Sequence, residues 1–211
     1  GNSYIITYNG QIYNTNELKK ELSDNGFTFF GHCDTEVLLK AYIHFGNDVV
    51  NKLNGIFAFA IWNENKKELF VARDHFGVKP LFYSIIDNTF IFASEIKALL
   101  EYPGIYPVLD SQGISELFGI GPAHTPGTTI FKEIYELKPA SFGIFNASGF
   151  HGGKYWRLES APHNDDFNTT CDKVKNLLED SIERQLVSDV PLCTFLSGGL
   201  DSSIITMYAS N

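Results

Sequence analysis

The stretch Leu196-Ser197-Gly198-Gly199-Leu200-Asp201-Ser202-Ser203 combines residue types that bind anions. An apolar run, Val190 to Leu196, precedes it and is too short for a helix. Ile204 to Ala209 follows and reads as the first turns of one. Strand, glycine-rich turn and helix are how an α/β protein builds an anion site. The glycines let backbone N–H groups face the anion, and the helix N-terminus adds partial positive charge. Ser197, Ser202 and Ser203 add hydroxyl donors, whereas Asp201 has the wrong charge for phosphate unless it orients a donor or a metal. No Gly-Lys-Ser/Thr follows the glycines, so the segment is not a P-loop, and the dinucleotide-binding spacing is absent too. On residue types alone, an ordinary Gly-Gly turn with a helix cap is an equal reading.

Two further stretches hold polar groups at positions that folding alone would explain. Asn9-Gly10 follows the aromatic and β-branched run Tyr4 to Tyr8, and Asn-Gly is a strong hairpin-turn signal. Asp34 stands just before an apolar helix, Val37 to Phe45, and is an N-cap by position. His32 and Cys33 are bystanders, because a neighbouring carboxylate does not favour a nucleophilic thiolate.

The resemblance gives these stretches chemistry. Ser-Gly-Gly-Leu-Asp-Ser-Ser at 197–203 resembles the pyrophosphate loop of ATP pyrophosphatases, and the run Ser188-Asp189-Val190-Pro191 before it is similar to that of the asparagine synthetase family. Tyr8-Asn9-Gly10-Gln11-Ile12-Tyr13-Asn14 resembles the Asn-Gly-Glu-Ile-Tyr-Asn motif of class II glutamine amidotransferases. There the Asn amide and the Gly N–H form the oxyanion hole for the tetrahedral intermediate of amide hydrolysis, which implies that role for Asn9 and Gly10. Asp34 falls on the family's Asp that binds the α-amino group of glutamine. Gln11 stands where the family usually has Glu, and a neutral side chain there would hold an ammonium less well. The implied glutamine-binding set is thus Asn9, Gly10, Gln11 and Asp34. The implied ATP-binding set is Leu196, Ser197, Gly198, Gly199, Asp201, Ser202 and Ser203, with Mg²⁺ accompanying ATP and no residue of this chain assigned to a metal.

The elements that must position these groups follow from the order of the chain. Asn14 is expected to cap a helix from Thr15 to Asn25, with Glu17 at the capping-box position, Gly26 as its stop and Leu18 and Leu22 on its buried face. Phe27 to Phe30 reads as a short strand. Gly55 to Trp62 is a strand apolar on both faces, one packing Phe and Trp side chains, and Glu68 to Arg73 returns beside it. Arg73-Asp74-His75-Phe76-Gly77-Val78-Lys79-Pro80-Leu81 reads as a rigid turn that the synthetase family shares, with His75 a packing or surface residue. Leu81 to Ile86 and Thr89 to Ala93 form a hairpin around Asp87-Asn88. A short helix covers Ser94 to Leu100, Asp110 caps another over Gln112 to Phe118, and Gly119 to Thr129 is a loop. Ile134 to Pro139 and Ala140 to Phe145 resemble the family's closing hairpin, which ends in Lys154-Tyr155-Trp156. Ser160 to Asn168 is a linker, and a helix starting at Asp166 or Thr169 runs to about Leu186 with Val174, Leu177, Leu178, Ile182 and Leu186 on one stripe.

A meander of strands covered on both faces implies an α+β fold. By resemblance it is an Ntn-hydrolase-like four-layer α/β/β/α sandwich lacking its first strand, followed by the beginning of a parallel α/β domain. The expected division is an amidotransferase domain over 1–160 and the start of an ATP-pyrophosphatase-like synthetase domain over 169–211. The 211 residues, 18 of them Phe, support a sizeable core, and the formal charge of −9 argues against a nucleic-acid partner. No run approaches a membrane span, and the three cysteines, Cys33, Cys171 and Cys193, are an odd number without metal-ligand spacing, which favours a reduced, cytoplasmic setting. The resemblance implies glutamine, aspartate and ATP as partners and asparagine, AMP and pyrophosphate as products, and it admits a homodimer. The family nucleophile is an N-terminal Cys, and the sequence given starts at Gly1, so this fragment by itself is expected not to hydrolyse glutamine. Two other readings are a related amidoligase with a degenerate glutaminase domain, for which Gln11 speaks, and a non-catalytic binding module.

Overall fold

The computed structural model describes residues 3–121, 123–188 and 190–210. Asp189 of the run into the Ser-Gly-Gly loop and Pro122 of the Gly-Ile-Gly-Pro loop lie outside the described residues, as do Gly1, Asn2 and Asn211. The chain divides into two units, one ending at Arg157 and the other beginning at Leu158.

The first unit holds two antiparallel sheets. One runs in the order β1 (Tyr4–Ile12), β2 (Gly55–Asn63), β3 (Glu68–Arg73), β7 (Ser141–Asn146), β8 (Gly149–Lys154); the other runs β5 (Thr89–Ala93), β4 (Phe82–Ile86), β6 (Tyr135–Glu136). The period of two along each strand sorts side chains into separate cores. Phe57, Phe59 and Ile61 of β2 and Phe70 of β3 face helices α1 (Thr15–Asp24) and α2 (Asp34–Phe45), where they meet Leu18, Leu22, Val37 and Leu38. Ala58, Ala60 and Val71 point the other way and pack on Tyr83, Phe90 and Phe92 of the second sheet. That sheet's outer face, with Phe82, Ile86 and Ile91, packs on Leu99 of α3 (Ile96–Leu100), and α4 (Ser111–Ile120) follows. The layers are therefore α/β/β/α. Alanines on the inner face of β2 let the two sheets approach across large aromatic partners.

Several elements differ from the sequence expectation. Asn9-Gly10 is not a turn: both residues lie inside β1, opposite Ala58 and Phe57. Phe27 to Phe30 is not a strand. Its backbone is satisfied by side chains of α2 instead, the Lys40 ammonium donating to the Thr28 carbonyl and the Glu36 carboxylate accepting from the Phe30 and Gly31 N–H groups. Asn14 makes no side-chain cap to α1; it bridges to the segment before β2, donating to Lys52 O at 2.8 Å and accepting from Asn54 N at 2.9 Å. Trp62 belongs with Ala58 and Ala60, not with the phenylalanines, as an even-numbered residue of the same strand must. The closing hairpin is β7–β8; Ile134 to Pro139 instead supplies β6 of the other sheet.

The Arg73–Leu81 turn is rigid by construction. Arg73 and Asp74 are almost fully buried. The guanidinium donates to the carbonyls of Lys79, Gly77 and Leu137, each at 2.7 Å, and pairs with Glu136 at 2.8 Å. The Asp74 carboxylate accepts from the N–H groups of Phe57, Phe76, Val78 and Lys79. Gly77 sits at φ +68 with Arg73 Cζ only 3.0 Å from where a Cβ would be, so a side chain is excluded there on two counts. His75 packs edge-on against Tyr155 and Trp156, as a packing residue does, and burial lowers its pKa more than the Asp74 charge raises it.

In the second unit α5 (Phe167–Gln185) is capped by Asp166, whose carboxylate accepts from Thr169 N at 2.9 Å. Of its apolar stripe only Ile182 is buried, while Val174, Leu177 and Leu178 are exposed. Val190 to Leu196 forms no strand: a parallel strand exists only through a neighbour, and among the described residues of this unit there is none.

Removing the Asp74 carboxylate leaves the N–H groups of Phe57, Phe76, Val78 and Lys79 without their acceptor. Asp74→Ala should lower the unfolding free energy by about 3–5 kcal/mol, measured by urea denaturation.

Candidate functional site

β1 is an edge strand, and its two faces have different company. Tyr4, Ile6 and Tyr8 pack into the helix-side core. Thr7 and Asn9 face the second sheet across a cleft of about 370 Å³ lined also by Ala60, Leu81, Phe92 and Ser94. The Asn9 side-chain amide donates to Ser94 Oγ at 3.3 Å, so this amide is aimed into the cleft with a donor to offer. Gln11, two residues on, lies on the same face of the strand.

The backbone of β1 supplies a second donor at its free edge. Ile12 N–H leaves that edge to meet Asp34 Oδ2 at 3.2 Å. N–H groups two residues apart on a strand point the same way, so the Gly10 N–H leaves the same edge ~7 Å upstream. Gly10 cannot carry a side chain here: a Cβ would lie 2.8 Å from Phe57 Cα and 2.9 Å from Tyr8 Cε2.

Asp34 is not the N-cap of α2. Cys33 occupies that position, and Asp34 is the first helical residue, its carboxylate turned back to β1. Oδ2 accepts from the Tyr8 hydroxyl at 2.8 Å and from Ile12 N. Burial, and after it the bond to Asp34, pushes the Tyr8 hydroxyl far above its ordinary pKa, so it is a permanent donor. Residue types alone gave no signal for Tyr8 or Ser94, because their roles come from contacts 26 and 85 residues away. The structure thus gathers Asn9, Gly10, Gln11 and Asp34 around the second half of one edge strand.

Leu196–Ser203 lies in the second unit, and its residues are exposed or half-buried. Gly198 is at φ +83, and Gly199 caps α6 (Leu200–Ala209) in extended conformation. Ser197 Oγ donates to Ser202 Oγ at 3.0 Å, while the Ser202 and Ser203 hydroxyls donate to Gly199 O. Asp201 sits in the first turn of α6, where a carboxylate complements the helix dipole. The first N–H groups of α6 and three hydroxyls therefore share one exposed loop. Among the described residues no group of three His, Cys, Asp or Glu side chains could hold a metal, and no helix is long and apolar enough to cross a membrane.

Residues 1–156 match the glutamine amidotransferase domain family, and residues 173–211 match the asparagine synthase family. The chain is 52% identical to asparagine synthetase [glutamine-hydrolyzing] 3 of Bacillus subtilis over 210 residues, covering 100% of this chain and 34% of that protein. It is 36% identical to asparagine synthetase [glutamine-hydrolyzing] 1 of the same organism, covering 98% of this chain and 33% of that protein. The chain thus spans about a third of the length of these curated relatives. A solved structure of glutamine phosphoribosylpyrophosphate amidotransferase from B. subtilis superposes over 100% of this chain and 44% of its own, with a TM-score of 0.52 at 18% identity. The allosteric regulatory enzyme of purine biosynthesis gives 0.53 at 20% identity, over 90% of this chain and 39% of its own. Those likenesses establish the fold, a four-layer α/β/β/α sandwich.

The segment that delivers Asp34 is held by Glu36, whose carboxyl is lowered from 4.5 to about 2 by its bond to Lys40 and by the Phe30 and Gly31 N–H groups. A depressed folded-state pKa stabilises the segment above 4.5 and loses that contribution as pH falls through about 2. The Phe30 and Gly31 amide resonances should titrate near that lower value, and Glu36→Gln should abolish the transition.

Proposed function

The chain belongs to the glutamine amidotransferase domain family, and on that footing we propose that it is the glutaminase part, with the first stretch of the synthetase part, of a glutamine-hydrolysing asparagine synthetase. The observation that carries the reading is the pair of donors on β1: a side-chain amide aimed into the cleft from Asn9 and, one residue later, an N–H leaving the free edge at Gly10. Hydrolysis of a carboxamide passes through a tetrahedral oxyanion, and two fixed donors stabilise it more than they stabilise the planar ground state. Asn9 and Gly10 take that role here. Asp34 holds the ammonium group of glutamine, with Gln11 a neutral neighbour in place of a carboxylate. In the parent protein the attack comes from the family's N-terminal cysteine; ammonia departs as the tetrahedral intermediate collapses to a thioester, and water then hydrolyses the thioester to glutamate and the free thiol.

Ammonia is then consumed by the second domain, which begins in the stretch 169–211, after the amidotransferase domain of 1–160. Aspartate's side-chain carboxylate is adenylated by ATP, pyrophosphate leaves, and ammonia displaces AMP to give asparagine. The 197–203 loop fits the pyrophosphate. Gly198 and Gly199 bring the backbone close, α6 presents its first N–H groups, and the Ser197, Ser202 and Ser203 hydroxyls can turn from their internal bonds to phosphate oxygens. Mg²⁺ would arrive on the phosphates, with Asp201 the one carboxylate in the loop; when bound it neutralises charge on the leaving pyrophosphate. The setting is the cytoplasm, where glutamine, aspartate and ATP are at hand.

Two variants of the full-length protein separate the sites. Asn9→Ala should reduce glutaminase turnover by about 10²–10³-fold, the usual loss for one oxyanion donor, and leave ammonia-dependent asparagine synthesis intact. Loss of both activities together would assign Asn9 to folding instead. Ser197→Ala should suppress ATP-dependent pyrophosphate release while glutamine hydrolysis persists, and normal release would remove the loop from the ATP site.

A further inference from the structure

We propose that Tyr8 is a positioning residue for glutamine: its hydroxyl engages one oxygen of Asp34 and so presents the other to the substrate's ammonium group. The inference rests on the reading of Asp34 as the ammonium partner. A carboxylate in the first turn of a helix normally bends toward that helix's own unpaired N–H groups. The Asp34 carboxylate is drawn the other way, to β1. Oδ2 accepts from Tyr8 Oη at 2.8 Å and from Ile12 N at 3.2 Å. Among the described residues the Oδ1 atom has only the Cys33 thiol as a hydrogen-bond partner, at 3.8 Å, a weak donor that an ammonium would outcompete. Two donors on one oxygen fix the carboxylate plane and leave the second oxygen for a charged ligand.

The rest of the motif supports this geometry. The Tyr8 ring belongs to the helix-side core, so its hydroxyl is delivered by packing and not by a flexible chain. It leans along the strand over Gly10, where a Cβ would lie 2.9 Å from Tyr8 Cε2. Gly10 therefore does two things: its N–H leaves the strand edge toward the oxyanion, and its missing side chain lets Tyr8 reach Asp34. The burial of the phenol and its bond to Asp34 keep it protonated, so it donates at every pH at which the carboxylate accepts.

Tyr8→Phe keeps the ring and deletes the hydroxyl. In the full-length enzyme it should raise the glutamine KM about tenfold, the effect of one hydrogen bond to a charged group, with kcat for glutamine hydrolysis and ammonia-dependent synthesis unchanged. In an Asp34→Asn background the same change should add nothing. A Tyr8→Phe enzyme with unaltered KM, beside an Asp34→Asn enzyme with a raised KM, would overturn the role of Tyr8 alone. An unaltered KM in Asp34→Asn would remove the ligand role of Asp34 and this inference with it. A full Tyr8→Phe effect persisting in the Asp34→Asn background would overturn the coupling between the two residues.

Discussion

Arg73 and Asp74, adjacent in sequence and almost wholly withdrawn from water, tie the amidotransferase unit together. A buried charge is tolerable only when its hydrogen-bonding capacity is met, and here each is met by backbone from several elements. The Asp74 carboxylate gathers Phe57 at the start of β2 and the three turn residues Phe76, Val78 and Lys79. Arg73, at the end of β3, gathers the same turn and Leu137, next to β6 of the other sheet. Glu136 balances the guanidinium at 2.8 Å and also meets His124 at 3.1 Å. Tyr155, beyond β8, donates its hydroxyl to the Arg73 carbonyl. The two sheets are thereby locked at one end by ionic hydrogen bonds, which are directional, whereas the aromatic packing between them is not.

With that end fixed, the cleft beside Asn9 has a defined width. Along β2 the inner face carries Ala58 and Ala60, so volume between the sheets comes chiefly from the second sheet's Phe90 and Phe92. Toward β1 the cleft opens, and Thr7 and Asn9 line it. The donor that reads as catalytic thus stands where the core thins to a polar edge. Asn9 is held by a nine-residue strand paired along its length with β2, so the place of its amide at the cleft is fixed by the sheet.

The Tyr8–Asn14 motif serves structure and chemistry together. Tyr8 holds Asp34, Gly10 lets β1 and β2 approach, and Ile12 is core on one side and a donor to Asp34 on the other. Asn14 bridges to the loop before β2. Tyr8 and Ile12 pack into the helix-side core and Asn14 bonds to the segment before β2, so part of the motif's length builds the edge strand around Asn9 and Gly10.

The sequence by itself determined the local elements and the family. The alternation of Gly55–Asn63, the Asp87-Asn88 turn with both residues at positive φ, the Asp110 and Asp166 caps and the buried Leu18 and Leu22 all depend on neighbours within a few residues, and each was legible. So was the turn after Arg73, whose run of Gly, Lys and Pro leaves few conformations. Tertiary structure decided the rest. Asn9-Gly10 has the chemistry of a hairpin turn, yet pairing with Ala58 and Phe57 makes it strand. Asp34 and Asn14 are good caps in isolation, yet donors and acceptors on β1 and on the segment before β2 take their side chains. Val190 to Leu196 has the composition of a strand but, among the described residues, no neighbour to make it one. The division has one cause: a cap or turn closes its hydrogen bonds inside a short window, whereas strand pairing and a buried carboxylate need partners that only the folded chain brings near.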